Sequence, residues 1–161
     1  MDHLPSIQEA VNMLGTDVLN NLFNSDGYLA TYENFIVPEL SVDRLWRHCL
    51  RTGKFAAAIA KQENQDPATV HHCFIAGILH DVGKYILIYK YFDSYRELLQ
   101  KMGKLDMSPA QAEFEHFNTS HGAVGAYLMA LWGIPYDIIE AMAFHAKPSA
   151  LKHTGFTPLA A

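Results

Sequence analysis

The sequence predicts one all-α domain, and three observations support that prediction. Apolar residues recur every three or four positions along nearly the whole chain, which is the period of a helix that buries one face. Capping residues, glycines and prolines divide this pattern into segments of helix length. The length of 161 residues suits a single domain, in which folding buries roughly 70% of the surface of the unfolded chain. We therefore expect a single compact domain over residues 1–161 with about eight helices.

The first three predicted helices each have a local justification. Residues 6–9 have the form of a capping box, and Gly15 ends that first helix. A second helix is predicted from about Thr16 towards Tyr32. A long third helix covers residues 41–63, and its inward face is predicted from its apolar residues: Leu45, Cys49, Phe55, Ala56, Ile59 and Ala60.

The second half of the chain is predicted to contain shorter helices. Asp66 is an N-cap and Pro67 the first residue of a helix that extends to Asp81 and is stopped by Gly83. Ser108 caps a later helix in the same way. The helices expected after Gly83 cover 85–91, 94–102, 109–117, 119–132 and 135–144.

The composition excludes several classes of protein. Twelve Lys and Arg against 17 Asp and Glu give a net charge of −5 with neutral histidine, so nonspecific nucleic-acid binding is not expected. The longest apolar stretches fall short of the ~20 residues that span a bilayer, and we find no export signal at the amino terminus. We expect a cytoplasmic protein without a membrane partner. Cys49 and Cys73 are expected to be small buried hydrophobic residues and not a disulfide framework.

An adjacent histidine and aspartate are the first candidate for a chemical site, although such a pair by itself is weakly specific. His80 and Asp81 end an apolar helix, and Lys84 follows within about one helical turn. Imidazole and carboxylate together suit manganese, iron, cobalt, nickel or zinc, and the Lys84 ammonium could hold a substrate phosphate. For this pair by itself, the better explanation is that His80 caps its helix and Asp81 forms a salt bridge with Lys84.

Three further histidines favour a metal site. His48, His121 and His145 lie in predicted helices among apolar or small residues, and a buried neutral histidine needs a hydrogen-bond partner or a metal. Each histidine by itself is more typical of a satisfied core residue. Together with His80 and Asp81, they have the composition of one or two metal sites.

Two neighbouring features have simpler interpretations. Glu113 precedes His121 by eight residues and is expected to be a solvated carboxylate, with orientation of a metal ligand as the alternative. The aromatic residues in the middle of the chain are expected to form a packing surface and not a base-stacking platform. They are Tyr85, Tyr89, Tyr91, Phe92 and Tyr95.

The order of these residues resembles the HD superfamily of metal-dependent phosphohydrolases and, more narrowly, the HDOD family of bacterial signalling domains. The resemblance runs from about residue 4 to residue 148. It implies an HD-type helical bundle in which the histidines and the aspartate named above bind metal. The segments that carry it are 4–15, 76–84, Glu113 with 121–128, 132–135 and His145.

The sequence departs from the HDOD family and from the HD superfamily in one feature each. The HDOD family usually has further helices before residues 6–10, and the HD superfamily supplies a last aspartate from a helix after the position of His145. Residues 156–161 also have the pattern of an opening helical turn, so we interpret the chain as a fragment that lacks preceding and following helices.

The HD-GYP relatives carry a Gly-Tyr-Pro loop where residues 145–148 read His-Ala-Lys-Pro, which disfavours cyclic di-GMP hydrolysis.

The resemblance implies a metal-dependent phosphohydrolase that acts on a phosphorylated small molecule or a nucleotide. One or two divalent ions per chain are expected, and a bound ion lowers the pKa of water from near 16 to roughly 7–9. Asp81 and Lys84 are the predicted catalytic residues, since Asp81 bridges the two ions and Lys84 neutralises phosphate charge. The predicted metal ligands are His48, His80, Asp81, His121 and His145.

Two alternatives remain open at this point. A non-catalytic regulatory module would bind other proteins or an attached signalling domain, and its histidines would be vestigial. An oxygen-activating di-iron enzyme on a helical frame would use a similar mixture of ligands. Stoichiometric transition metal that is lost in His80→Ala and Asp81→Ala favours an enzyme, whereas a metal-free protein that folds equally well without those side chains favours the module. Substrate-dependent oxygen consumption would identify the di-iron alternative.

Overall fold

The computed structural model describes residues 42–102 and 107–151, and in these ranges it contains helices and no strands. These two ranges contain seven α-helices, one for each helix predicted between residues 41 and 144, which confirms the all-α fold. The two helices predicted before residue 41 lie outside the described residues. The bounds are α1 Val42–Gln62, α2 Pro67–Leu79, α3 Val82–Lys90, α4 Phe92–Met102, α5 Pro109–Phe117, α6 His121–Leu131 and α7 Tyr136–Phe144, followed by a 3-10 turn at Pro148–Ala150.

Three predicted helix boundaries have the expected chemistry. The Asp66 carboxylate accepts hydrogen bonds from the backbone N–H groups of Ala68 and Thr69, and the Ser108 hydroxyl accepts one from Gln111. Each satisfies donors that the first turn of a helix leaves free. Asn118 ends α5 in the left-handed conformation, with φ of 56°, which asparagine tolerates better than most residues.

The boundary between α2 and α3 differs from the prediction. α2 ends at Leu79 and α3 begins at Val82, so Gly83 lies inside α3 and does not stop the preceding helix. A Cβ atom on Gly83 would lie 1.9 Å from the carbonyl oxygen of His121. Glycine is required here because α3 packs directly against the first turn of α6. This contact places the two-residue turn before α3 beside His121.

A second close approach joins α1 to α2. A Cβ atom on Gly77 would lie 2.5 Å from the Cα of Gly53, so the backbones of the two helices meet without an intervening side chain. The small residues of α1 are buried at this contact: Cys49, Ala57 and Ala60. The crossing brings the middle of α1 close to the end of α2.

The predicted inward face of α1 was wrong at two positions. Phe55 is 62% exposed and Ile59 is 63% exposed, whereas Cys49 and Ala60 are buried as predicted. Phe55 follows Gly53 by two residues, and successive residues of a helix are turned by about 100°, so the two positions face opposite sides. The close contact at Gly53 determines which side faces the core.

The remaining helices complete the packing around α6 and α7. α7 contacts both α6 and α2, α3 contacts α6, and α4 contacts α3 and α5. Met129, Ile138 and Met142 are completely buried between α6 and α7 and their neighbours. None of the described helices has the length and hydropathy needed to cross a bilayer. The ends of α2, α6 and α7 and the middle of α1 therefore converge on one region.

Candidate metal centre

Asp81 lies at the centre of a cluster of four imidazoles. It occupies the turn between α2 and α3 and is 0% exposed. Its Oδ2 atom lies 3.8 Å from Nε2 of His48 and 3.4 Å from Nε2 of His80. Its Oδ1 atom lies 3.3 Å from Nε2 of His121 and 3.8 Å from Nε2 of His145. Each carboxylate oxygen therefore faces one pair of imidazoles.

The imidazoles are brought together from four helices. His48 comes from the first half of α1, His80 follows the last residue of α2, His121 begins α6 and His145 follows the last residue of α7. The Nε2 atoms of His48 and His80 lie 3.2 Å apart, and those of His121 and His145 lie 3.0 Å apart. In each pair, the two nitrogens and one oxygen of Asp81 lie within 4.8 Å of one another, close enough to share one metal ion.

Hydrogen bonds to backbone carbonyls fix the orientation of two of these rings. The Nδ1 atom of His80 lies 2.8 Å from the carbonyl oxygen of Gly77, and that of His145 lies 2.7 Å from the carbonyl oxygen of Met142. A carbonyl oxygen only accepts, so both Nδ1 atoms carry hydrogen. The Nε2 atom of each neutral ring therefore presents a lone pair to the cluster.

The pair of His121 and His145 requires a cation between the rings. His121 donates from Nδ1 to the carboxylate of Glu113, so its neutral form also has a lone pair on Nε2. Two lone pairs then face each other across 3.0 Å. Among the described residues, Oδ1 of Asp81 is a buried oxygen that receives no hydrogen bond. Three unpaired acceptors around one point fit a divalent metal ion, whose place a proton would otherwise take.

The pKa values reflect burial and the charges inside the cluster. Burial lowers the pKa of His80, and it lowers that of His145 to about 4. Burial by itself would raise the pKa of Asp81, but His121 and Lys84 hold it well below its usual range. Burial would lower the pKa of His121, but the carboxylates of Asp81 and Glu113 outweigh burial and raise it. At neutral pH the cluster therefore contains an ionised aspartate and a neutral His145.

Lys84 and His48 lie on the open side of the cluster. Lys84 Nζ donates to Oδ2 of Asp81 at 2.7 Å, so the salt bridge considered for this pair does form, within the histidine cluster. The side chains of Lys84 and His48 are 21% and 51% exposed, against 1% for Asp81. Solvent and small molecules therefore approach the cluster from this side.

The expectation for Glu113 was wrong. This carboxylate is 0% exposed and accepts hydrogen bonds from the Tyr95 hydroxyl at 2.6 Å and from the backbone N–H of His121 at 2.7 Å. Asn118 turns the chain back after α5, which returns residue 121 to residue 113. An asparagine that can end a helix, followed two residues later by the capping residue Ser120, is the signal in the sequence that could have indicated this contact.

The structure brings together all five predicted metal ligands and Lys84. Two further side chains, one histidine and one tyrosine, have partners other than Asp81. His72 lies outside the cluster, and its Nδ1 atom is 2.5 Å from Oδ2 of Asp137 on α7. Tyr95, assigned from the sequence to an aromatic packing surface, is buried and bonds to Glu113.

Comparison with known proteins identifies the family. The family model described as "HDOD domain" matches residues 2–148, which is most of the chain. The chain belongs to the HDOD family. This assignment confirms the resemblance found in the sequence, and the helical architecture agrees with it.

Solved structures share the fold of this HDOD domain. An HDOD domain protein of unknown function from Geobacter sulfurreducens is 27% identical with a TM-score of 0.62, covering 94% of this chain and 50% of that one. A Shewanella amazonensis protein, provisionally described as a phosphohydrolase, is 18% identical with a TM-score of 0.66, covering 98% of this chain and 56% of that one. At that lower identity the similarity shows the fold alone.

A curated relative comes from Mycoplasma genitalium and is described as a probable nicotinate-nucleotide adenylyltransferase/Ap4A hydrolase. It is 28% identical to this HDOD domain over 126 residues, which is 75% of this chain. The chain spans between 26% and 32% of the lengths of the curated relatives that it matches. It therefore corresponds to one part of those longer proteins.

Proposed function

We propose that this HDOD domain binds divalent metal ions between its four imidazoles and Asp81 and hydrolyses a phosphoester. The observation that carries the proposal is the pairing of Nε2 lone pairs around the two oxygens of one buried aspartate. The donor set of imidazole nitrogen and carboxylate oxygen suits manganese, iron, cobalt, nickel or zinc. A bound ion of this kind would act as a Lewis acid on a phosphoryl oxygen and would make a coordinated water more acidic.

The residues of the chain divide the remaining work. Asp81 stays ionised because its pKa lies below the usual range, so both of its oxygens are available at neutral pH. Burial lowers the pKa of His145 to about 4, so this imidazole stays neutral at neutral pH and its lone pair is available. Lys84 lies at the open side, where its ammonium would neutralise phosphate charge as substrate approaches.

The proposed substrate class is a phosphorylated small molecule or a nucleotide. The description of the Mycoplasma relative as a probable Ap4A hydrolase supports nucleotides, because Ap4A is itself a nucleotide. A protein partner or a linked signalling domain is proposed in addition, since the chain matches only part of its longer relatives. We propose a cytoplasmic location for it.

Metal analysis of the purified domain tests the proposal. We expect a stoichiometric transition metal, its loss in His80→Ala and Asp81→Ala, and its retention in the control His116→Ala, which removes an exposed histidine of α5 outside the cluster. The loaded protein should hydrolyse p-nitrophenyl phosphate or its bis ester, and Lys84→Met should slow hydrolysis while leaving metal bound. A folded protein that takes up no metal and hydrolyses neither ester would refute this function and favour the regulatory module.

A further inference from the structure

The start of α6 creates a specific problem for His121. His80 and His145 follow the last residues of α2 and α7, and each donates from Nδ1 to a carbonyl three residues earlier in its own helix. Free carbonyls are available there because the last turn of a helix leaves them without partners. His121 is instead the first residue of α6, where the backbone offers free N–H groups and no carbonyl. An acceptor for its Nδ1 must therefore come from outside the first turn of α6.

Glu113 supplies that acceptor. Its Oε2 atom lies 2.5 Å from Nδ1 of His121 and 2.7 Å from the backbone nitrogen of the same residue. One oxygen therefore holds both the ring and the main chain of His121. A carboxylate at the start of a helix is also favoured by the helix dipole.

Tyr95 completes the arrangement from α4. Its hydroxyl donates to Oε1 of Glu113 at 2.6 Å, so the two oxygens of the carboxylate have different partners and the group cannot rotate freely. Tyr95, Glu113 and His121 are all buried. Water therefore does not compete for these hydrogen bonds.

We propose that Glu113, held by Tyr95, is a positioning residue that keeps hydrogen on Nδ1 of His121 and directs its Nε2 lone pair at Asp81 and His145. The proposal concerns the metal-free protein, and its consequence for metal affinity rests on the proposed function. Removal of a residue that orients a metal ligand in this way typically lowers metal affinity by about 10–100-fold. His80 and His145 donate from Nδ1 within their own helices, whereas His121 donates to a residue of a different helix.

The test is the tautomer of His121, measured by long-range ¹H–¹⁵N correlation at alkaline pH in the metal-free protein. The signals are assigned by their loss in His121→Ala. We expect hydrogen on Nδ1 in the wild type and in Glu113→Gln, whose amide oxygen can still accept. Glu113→Leu should move the hydrogen to Nε2. Tyr95→Phe should keep the hydrogen on Nδ1, because Glu113 can still accept it, and should perturb the ring less than Glu113→Leu does. Hydrogen on Nε2 of the wild type would overturn the proposal.

Zn²⁺ affinity is the second measurement. Glu113→Leu should weaken Zn²⁺ binding by about 10–100-fold, Glu113→Gln should recover most of it, and the exposed control His116→Leu should change nothing. Unchanged tautomer and affinity in Glu113→Leu would contradict the proposal, and if this variant does not fold, the wild type and Glu113→Gln decide. A wild type that has the predicted tautomer but binds none of Mn²⁺, Fe²⁺, Co²⁺, Ni²⁺ and Zn²⁺ would refute the proposed function and leave the positioning role intact.

Discussion

The Nε2 atoms of His121 and His145 lie 3.0 Å apart, although the Nδ1 atom of each ring already donates a hydrogen bond. Neutral imidazoles in this arrangement repel, so the position between them is stable only when it holds a proton or a metal ion. The same position faces Oδ1 of Asp81, a buried oxygen that receives no hydrogen bond from the residues that the structure describes. The predictions below follow from this arrangement and from the packing that creates it.

Asp81 should support both halves of the cluster, whereas His48 should support only one. Asp81→Ala is expected to remove all bound metal, because its two oxygens face the two imidazole pairs. His48→Ala is expected to remove one of two ions and to leave the ion between His121 and His145. Metal per chain, measured by mass spectrometry, checks this. Complete loss in His48→Ala with correct folding would contradict the division into two halves.

Metal affinity should fall as the pH is lowered. Burial lowers the pKa of His121, but the carboxylates of Asp81 and Glu113 outweigh burial and raise it. The protonated form therefore persists to higher pH than usual, and metal binding must release that proton. Below this pKa the Zn²⁺ affinity should decrease by about tenfold per pH unit for one proton. His145, with a pKa of about 4, should contribute nothing near neutral pH. Chelator competition at several pH values measures how Zn²⁺ affinity depends on pH. An affinity that does not change with pH would contradict this prediction.

The two cysteines should resist alkylation in the folded protein. Burial, followed by the charge of Asp81, raises the pKa of Cys49 to about 12, and burial raises that of Cys73. Neither thiol forms the reactive thiolate at mildly alkaline pH. Mass spectrometry after iodoacetamide treatment should find both unmodified in buffer and both modified in denaturant. Rapid labelling of Cys49 in buffer would show that α1 does not pack against α2 as described.

Gly83→Ala should be strongly destabilising. The added methyl group would lie 1.9 Å from the His121 carbonyl, which is backbone and cannot move aside, so α3 and α6 must separate. We expect a loss of about 3 kcal/mol or more in the free energy of unfolding, measured by urea denaturation, together with weaker metal binding. Gly133→Ala is the matched control, because its φ of 74° is strained for alanine but the space around it is open. It should cost roughly 1–2 kcal/mol without affecting metal, and equal effects of the two changes would be unexpected.

Local chemistry in the sequence determined the helices. Asp66 and Ser108 cap helices as predicted, and Asn118 ends one, because these contacts join residues a few positions apart. The sequence also indicated which residues belong to the cluster, since imidazoles among apolar neighbours need partners. The predictions that were less successful concerned contacts between residues that are far apart in the chain or lie in different helices. The burial of Glu113 depends on a turn that returns the chain to His121, and periodicity within α5 contains no information about that return.

What the sequence determined by itself was the helical period, the helix ends and the types of ligand, all of which depend on near neighbours. Only the tertiary structure decided which side of α1 faces inward, why Gly83 must lack a side chain, and how four rings share the oxygens of Asp81. The physical reason is that a helix can rotate about its axis without changing its local hydrogen bonds. Close contacts between helices, such as Gly53 with Gly77 and Gly83 with His121, remove that freedom and fix where the imidazoles meet.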